Sequence, residues 1–142
     1  MRAIIQAGGK GSRLRSITGD KIPKPMVPVL GKPLLQWQIE HLNRSGINEI
    51  ILIIGYLGNV IREYFKDGKE FGVSITYIEE TQPLGTAGGL YYVKEYLQED
   101  EELLLLYGDI FFDVDLARME KFHRDKKSIL TAFVHPNGHP FD

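Results

Sequence analysis

The chain has 142 residues, of which 43% are hydrophobic, and 17 Lys and Arg face 19 Asp and Glu for a formal net charge of −2. This length and composition predict one domain with a buried core and exclude a disordered chain. The absence of cysteine excludes disulfides, thiolate catalysis and cysteine-bound zinc. Because no long block of like charge stands out, we expect neither nucleic acid nor an anionic membrane as a partner.

The longest apolar runs, residues 50–54 and 103–107, are of strand length. A membrane-spanning helix needs roughly 20 apolar residues, so these runs are far too short to cross a bilayer. The first residues lead straight into a strand pattern, with no apolar leader segment. The sequence therefore predicts a soluble protein of the cytoplasm.

Five β-rich runs alternate with four helical patterns along the chain. The runs are residues 2–7, 49–54, 73–78, 103–107 and 128–134. Between them, apolar side chains recur three or four residues apart, as on one face of a helix; these are Leu35, Ile39 and Leu42, then Val60, Ile61, Tyr64 and Phe65, then Leu90, Val93 and Leu97, and finally Leu116, Met119 and Phe122. Nearly continuous apolar runs are typical of parallel strands covered on both faces. The order predicts an α/β fold with a doubly wound, mainly parallel open sheet and helices on both of its faces.

In such a sheet, ligands bind outside the carboxyl ends of the strands, so the loops that follow strands are the candidate sites. The first loop, residues 7–33, contains five glycines and four prolines. Six cations lie in it against the single acid Asp20: Lys10, Arg13, Arg15, Lys21, Lys24 and Lys32. Glycines at 8, 9 and 11 permit positive φ and let backbone N–H groups approach a polyphosphate. The Arg13 guanidinium can donate two hydrogen bonds at once to phosphoryl oxygens, and Lys24, which lies between two prolines, offers a point charge.

Two better-known phosphate loops do not fit this segment. A dinucleotide-binding fingerprint would need a third glycine where Leu14 stands, and an acid after the second strand where Gly55 and Tyr56 stand. A Walker loop needs Gly-Lys followed by Ser or Thr, and none of the Gly-Lys pairs, at residues 9–10, 31–32 and 68–69, is followed by either. Taken singly, the glycines also fit an ordinary exposed loop.

The loops after the third and fourth predicted strands each offer a candidate site and a plainer alternative. The Gln82 amide could read a base edge, and Gly85 would let a flat ring approach the backbone, although the same residues fit a turn that starts a helix near Thr86. Asp109 places a carboxylate just beyond a strand, behind Gly108, which leaves room for a ligand. A hard oxygen ligand there suits Mg²⁺, and the alternative is a turn aspartate.

An Asp-x-Asp pattern at Asp113 and Asp115 fits a metal-dependent glycosyltransferase of the GT-A type. A helix N-cap at Asp115, ahead of Leu116, explains one of the two acids more simply. The cap is the prediction we favour, and the glycosyltransferase is kept as an alternative function.

Residues 8–33, GGKGSRLRSITGDKIPKPMVPVLGKP, closely resemble the signature loop of the sugar-1-phosphate nucleotidyltransferases, whose pattern is approximately GGxGxRLxPxTxxxPKPxxPVxGKP. The departures are Ser16 in place of proline, Gln6 in place of an aliphatic residue, and one extra residue near 20–22; none removes a charge. The resemblance implies a Rossmann-like nucleotidyltransferase fold in which residues 1–142 form a single domain. It covers the N-terminal, nucleotide-binding half; the family's longer catalytic domain goes on to a sugar-binding half that the 142 residues lack.

The resemblance also implies a reaction and the residues that carry it. A sugar 1-phosphate attacks the α-phosphorus of an NTP, giving an NDP-sugar and pyrophosphate. Arg13 and Lys24 are the implied catalytic cations, Mg²⁺ is the implied cofactor with Asp109 as its ligand, and Gln82 and Gly85 would face the base. The implied nucleotide-binding residues are Ala7, Gly8, Gly9, Gly11, Ser12, Arg13, Gln82, Gly85 and Thr86.

The form PLGTAG at residues 83–88 is most similar to members that use guanosine nucleotides with mannose-type or heptose-type sugars. This segment favours GTP as the nucleotide and leaves dTTP, UTP and CTP open. The resemblance as a whole is compatible with a homo-oligomer. A non-catalytic nucleotide-binding module of the same fold is a further alternative, against which the joint presence of Arg13, Lys24 and Asp109 argues.

Overall fold

The structure, a computed structural model, describes residues 1–9, 21–81 and 88–134. Within these ranges the strands are β1 (Arg2–Gln6), β2 (Pro28–Val29), β3 (Lys32–Pro33), β4 (Glu49–Ile54), β5 (Ser74–Glu79) and β6 (Leu103–Tyr107). The α-helices are α1 (Leu34–Arg44), α2 (Gly58–Phe65), α3 (Gly89–Val93) and α4 (Leu116–Asp125). Short 3₁₀ turns lie at Lys24–Met26, Lys69–Phe71 and Lys94–Tyr96.

Four strands form one sheet in the order β5-β4-β1-β6, and every pair in it is parallel. The other two strands, β2 and β3, form a small antiparallel hairpin. Leu30 and Gly31 turn this hairpin with φ of 49° and 86°, the left-handed conformations that a tight hairpin turn needs. The prediction of a mainly parallel sheet is confirmed.

The chain divides into two compact units, Met1–Phe112 and Asp113–Asp142. The first unit holds the whole sheet and helices α1 to α3, and the second holds α4. None of the helices that the structure describes is both long and apolar enough to cross a bilayer.

Helices cover both faces of the sheet, as the sequence predicts. Side chains alternate between the faces along β4, and an added Cβ at Gly58 in α2 would lie 3.0 Å from the Ile54 side chain. An added Cβ at Gly89 in α3 would instead lie 3.1 Å from the Ile53 side chain, on the opposite face. The Tyr64 hydroxyl of α2 donates to Gln36 Oε1 of α1 at 2.7 Å, so α1 shares the face of α2.

The core follows the predicted apolar stripes. Leu35, Ile39 and Leu42 of α1 are completely buried. On the α3 face, Val93 packs in a cluster with four isoleucines of the sheet: Ile4, Ile51, Ile53 and Ile78. Burying each such side chain contributes about 1.5–3 kcal/mol, so the packing of α1 and α3 on the strands stabilises this unit.

The strand β6 departs from the prediction that each run is covered on both faces. Leu103, Leu105 and Tyr107, which share one face of the strand, are 38–41% exposed. In the described sheet β6 is an edge strand with β1 as its neighbour. Its alternating exposure is that of a strand with one covered face.

The prediction of a fifth parallel strand at residues 128–134 is wrong. These residues form no strand in the structure, and Ile129 and Leu130 are exposed. The segment folds back on α4 instead, because the Ser128 N–H donates to the His123 carbonyl at 3.2 Å and Thr131 Oγ1 lies 2.9 Å from His123 Nδ1. Apolar composition alone does not make a strand, since a strand also needs a neighbour to pair with its backbone.

The N-cap predicted at Asp115 is confirmed. Its side chain accepts a hydrogen bond from the Arg118 N–H at 2.9 Å, and α4 begins at the next residue, Leu116. This bond satisfies one of the free N–H groups at the start of the helix.

Candidate active site

The strand order reverses between β1 and β6. From β1 the chain moves outward to β4 and then β5, and it returns to place β6 on the other side of β1. Crevices at the carboxyl ends of strands beside such a reversal are the usual ligand sites of open α/β sheets. The predicted residues Ala7, Gly8 and Gly9 follow β1, and Asp109 follows β6, so both groups lie at this edge.

The backbone after β1 passes unusually close to the backbone after β4. Ala7 is buried, and its N–H donates to the Ile53 carbonyl at 2.8 Å. A Cβ added to Gly55 would lie 2.8 Å from the Gly8 oxygen and 3.2 Å from its Cα. The two loops therefore cross where both residues are glycine. In the sequence, the signal for this contact is Gly55, which directly follows the apolar run at residues 49–54.

The expectation of positive φ in the opening glycine turn is wrong for the two glycines that the structure describes. Positive φ among glycines occurs at Gly31, Gly46, Gly68 and Gly72 in the described residues, and not at Gly8 or Gly9. An added Cβ at Gly8 would lie 2.9 Å from Glu80 Oε2 and 3.3 Å from the Gly55 nitrogen, so glycine at this position eases the close crossing. A Cβ at Gly9 would meet no described atom within 4 Å, so no neighbour among the described residues requires that glycine.

We expect Gly55→Ala to lower the free energy of unfolding by about 1–3 kcal/mol, because the new methyl group would press on backbone atoms that cannot rotate away. Thermal denaturation followed by circular dichroism measures this effect. Gly9→Ala is the matched control, and it should leave the melting temperature nearly unchanged. Equal melting temperatures for Gly55→Ala and the unmodified protein would show that the two loops can separate without cost.

Lys24 is held by a short, well-anchored segment. It begins the 3₁₀ turn Lys24–Met26, in which Pro25 and Met26 are buried. The Leu34 N–H donates to the Val27 carbonyl at 3.0 Å, which ties the end of this segment to the start of α1. The backbone of Lys24 is thus held in place, and its ammonium group lies beside Asp109.

The hairpin that follows fastens the same segment to α1. Trp37 Nε1 donates to the Val29 carbonyl at 2.8 Å, and Lys32 Nζ lies 3.7 Å from the centre of the Trp37 ring. Lys32 also donates to the Glu40 carboxylate, and this hydrogen bond lowers the pKa of Glu40 below its usual range. Lys32 therefore has a structural role, whereas Lys24 faces the candidate site.

Asp109 lies in a tight turn after β6. The Ile110 N–H donates to the Tyr107 carbonyl at 3.3 Å, and the Gly108 N–H donates to the Gln6 carbonyl of β1 at 2.9 Å. An added Cβ at Gly108 would lie 3.2 Å from both the Gln6 oxygen and the Pro25 ring. The space that this glycine leaves is therefore taken by β1 and Pro25, not by a ligand as the sequence suggested.

The structure brings together two of the predicted functional residues. Lys24 Nζ lies 3.5 Å from Asp109 Oδ2, although the residues are 85 positions apart. Their side chains are 22% and 45% exposed. The cation predicted to bind phosphate oxygens and the carboxylate predicted to bind a metal thus lie together at the β1 and β6 edge.

The donor set around Asp109 fits Mg²⁺. Among the described residues no group of three or more His, Cys, Asp or Glu side chains could hold a metal ion by itself. Mg²⁺ does not need such a cage, since it commonly takes one or two protein carboxylates, and substrate phosphates and water complete its shell. A half-exposed single carboxylate beside a cationic side chain is consistent with that mode of binding.

Several predicted site residues lie outside the described residues. These are Gly11, Ser12 and Arg13 in the first loop and Gln82, Gly85 and Thr86 in the loop after β5. Their assigned roles remain predictions from the resemblance.

One residue near the site was missed by the sequence analysis. Gln38 of α1 is 2% exposed, and its Nε2 donates to the carbonyls of Tyr107 and Ile110, which flank Asp109. Its position between Leu35 and Leu42 on the buried stripe was an available signal, since a polar side chain on an apolar helix face needs a partner.

The fold defines the class of open parallel α/β proteins, which bind ligands at this edge, and comparisons with known proteins identify the family. The family model described as nucleotidyl transferase matches residues 2–141. The chain belongs to this nucleotidyl transferase family.

Relatives and a solved structure agree with this membership. A D-glycero-alpha-D-manno-heptose 1-phosphate guanylyltransferase of Campylobacter jejuni is 46% identical over 121 residues, which are 84% of this chain and 52% of that protein. A UTP--glucose-1-phosphate uridylyltransferase of Synechocystis is 40% identical over 144 residues, covering 94% of this chain and 37% of that protein. The crystal structure of HddC from Yersinia pseudotuberculosis complexed with GMP-PN matches with a TM-score of 0.76 and 32% identity, over 87% of this chain and 54% of that one. The chain thus spans about half the length of the guanylyltransferase and of HddC, and 37% of the uridylyltransferase.

Proposed function

We propose that the protein acts in nucleotidyl transfer from an NTP to a sugar 1-phosphate, with release of pyrophosphate, and that this chain supplies the nucleotide-binding half of the site. The observation that carries the proposal is the meeting of Lys24 and Asp109 at the strand reversal, at 3.5 Å. The family membership and the sugar-1-phosphate transferases among the relatives support it.

The reaction needs little covalent help from the protein, because the sugar phosphate arrives already ionised. A nonbridging oxygen of the sugar phosphate attacks the α-phosphorus, and the bond to the pyrophosphate oxygen breaks in line with it. The barrier lies in bringing two anions together and in stabilising the charge that builds on the phosphoryl group and on pyrophosphate. We assign this work to cations of the chain.

Lys24 is assigned to the α-phosphate. Its backbone is fixed in the 3₁₀ turn, so its ammonium can stabilise developing charge with little reorganisation. Arg13, from the resemblance, is assigned to the triphosphate together with backbone N–H groups at Gly8, Gly9 and Gly11. Asp109 would hold Mg²⁺, and the bound ion would supply positive charge against the phosphates.

The proposal extends to the substrates. We assign GTP as the nucleotide and a heptose-type or mannose-type sugar 1-phosphate as the acceptor, on the PLGTAG segment and on the heptose 1-phosphate guanylyltransferase relative. A uridylyltransferase also matches well, so UTP is the competing nucleotide. Because nucleoside triphosphates are drawn from the cytoplasm, the proposal places the protein there.

Thermal shifts with GTP, UTP, dTTP, CTP and ATP, each with Mg²⁺, test the proposal. A ligand at one hundred times its dissociation constant adds about 2.7 kcal/mol of stability, so the bound nucleotide should raise the melting temperature by several degrees. We expect the largest shift with GTP and a much smaller one when the metal is chelated.

Each other outcome has a definite meaning. No shift with any triphosphate would overturn the proposal, and a larger shift with UTP would overturn its choice of base. A shift with a GDP-sugar that exceeds every triphosphate would favour the glycosyltransferase alternative.

A further inference from the structure

We propose that Gln38 is a positioning residue, which sets the direction in which Asp109 presents its carboxylate to a divalent cation. The inference rests on the proposed function, since it assigns a role relative to the metal at Asp109. It is carried by the hydrogen bonds between the buried Gln38 amide and the turn that contains Asp109.

The Gln38 amide donates hydrogen bonds to both ends of this turn. Its Nε2 donates to the Tyr107 carbonyl at 2.9 Å and also to the Ile110 carbonyl. Asp109 is one of the two residues between these carbonyls. A primary amide has two N–H groups, so a single side chain can hold both oxygens.

Lys24 contacts the Asp109 carboxylate itself at 3.5 Å, and the remaining contacts hold the backbone of the turn. The Gly108 N–H is fixed to β1 through the Gln6 carbonyl at 2.9 Å, and Pro25 packs against Gly108. Those contacts place the start of the turn. The hydrogen bond from Gln38 Nε2 to the Ile110 carbonyl fixes the end of the turn.

Packing alone does not require an amide at this position. Among the described residues Gln38 Oε1 is buried and accepts no hydrogen bond, which is an unfavourable state for a polar atom. An apolar side chain of similar length would fill the same space without that cost. The two donated bonds are therefore what distinguishes glutamine from its apolar substitutes here.

Groups that orient a metal ligand typically change metal affinity by 10–100-fold when they are removed. The proposal predicts that Gln38→Met, which keeps the length and loses the donors, raises the Mg²⁺ concentration for half-maximal GTP binding by about tenfold or more. At saturating Mg²⁺ the affinity for GTP should change far less. Isothermal titration at a series of Mg²⁺ concentrations measures both quantities.

Gln36→Met is the matched control, because Gln36 lies on the same helix and bonds to Glu40 and Tyr64 rather than to the turn. We expect it to leave the Mg²⁺ dependence unchanged. A Gln38→Met protein with a lower melting temperature and an unchanged Mg²⁺ dependence would overturn the inference, since that result describes a purely structural role.

A second measurement needs no variant and so does not depend on how Gln38→Met folds. In a ¹⁵N spectrum of the unmodified protein, the side-chain amide signals of Gln38 should move when Mg²⁺ is added to the GTP complex, and those of Gln36 should not. Unmoved Gln38 signals would overturn the inference. If the unmodified protein binds no Mg²⁺ and GTP at all, the proposed function fails and this inference falls with it, whereas binding with unmoved Gln38 signals leaves the proposed function intact.

Discussion

Replacement of Arg13 by alanine is expected to lower the rate of nucleotidyl transfer by on the order of 10²-fold or more, with the fold intact. At about 1.36 kcal/mol for each factor of ten, this corresponds to a loss of about 2.7 kcal/mol of transition-state stabilisation. The reason is the chemistry of the guanidinium group, which holds two phosphoryl oxygens at once in a fixed fork. Pyrophosphate release at saturating substrates measures the rate.

Arg15→Ala is the matched control for this experiment. Arg15 is an arginine of the same loop, but it occupies a variable position of the signature pattern, so we expect its replacement to have a small effect. Unchanged kinetics in a well-folded Arg13→Ala protein would contradict the assigned role. Equal losses of rate in the two variants would show that only the total positive charge of the loop matters, and not the position of Arg13.

Asp109→Asn is expected to lower the rate by a similar factor, on the order of 10²-fold or more, because an amide oxygen is a much weaker ligand for Mg²⁺ than a carboxylate. The substitution preserves shape, and the side chain is 45% exposed with Lys24 as its ion-pair partner. Stability should therefore change little, since exposed pairs of this kind contribute about 0–1 kcal/mol. Initial rates over a range of Mg²⁺ concentrations separate weaker metal binding from a slower chemical step.

Asp113→Asn serves as the control and also tests the Asp-x-Asp pattern as an alternative metal site. Asp113 is an exposed acid of the Asp-x-Asp pattern, and Asp115 already serves as the cap of α4. We expect full activity from this variant. If Asp113→Asn abolished nucleotidyl transfer and Asp109→Asn did not, the metal would be assigned to the Asp-x-Asp pattern and not to Asp109.

Hydrophobic patterning predicted the central elements well, because burial there is decided locally. The run at residues 49–54 became β4 with the predicted bounds, and the stripe of Leu35, Ile39 and Leu42 became the buried face of α1. The same patterning failed at residues 128–134. Whether an apolar run becomes a strand depends on which strand lies beside it, and no local pattern contains that information.

In the candidate site, too, some features could be predicted from the sequence and others could not. The sequence placed Lys24 and Asp109 after strands, and parallel topology then brought them to one edge of the sheet. It could not show that Gly55 lies against the backbone of Gly8, because this contact joins two loops far apart in the chain. It also passed over Gln38, whose role depends on two backbone carbonyls that only the folded chain brings within reach.

The pairing of Lys24 with Asp109 has a consequence for the form in which ligands bind. In the structure each side chain serves as the counter-ion of the other. A metal ion arriving alone would take the carboxylate and strand the ammonium, while a triphosphate arriving alone would do the opposite. Under the proposed function, a metal–triphosphate complex would replace both partners in one exchange and leave neither charge unmatched, so we expect it to bind at this edge more tightly than either component alone.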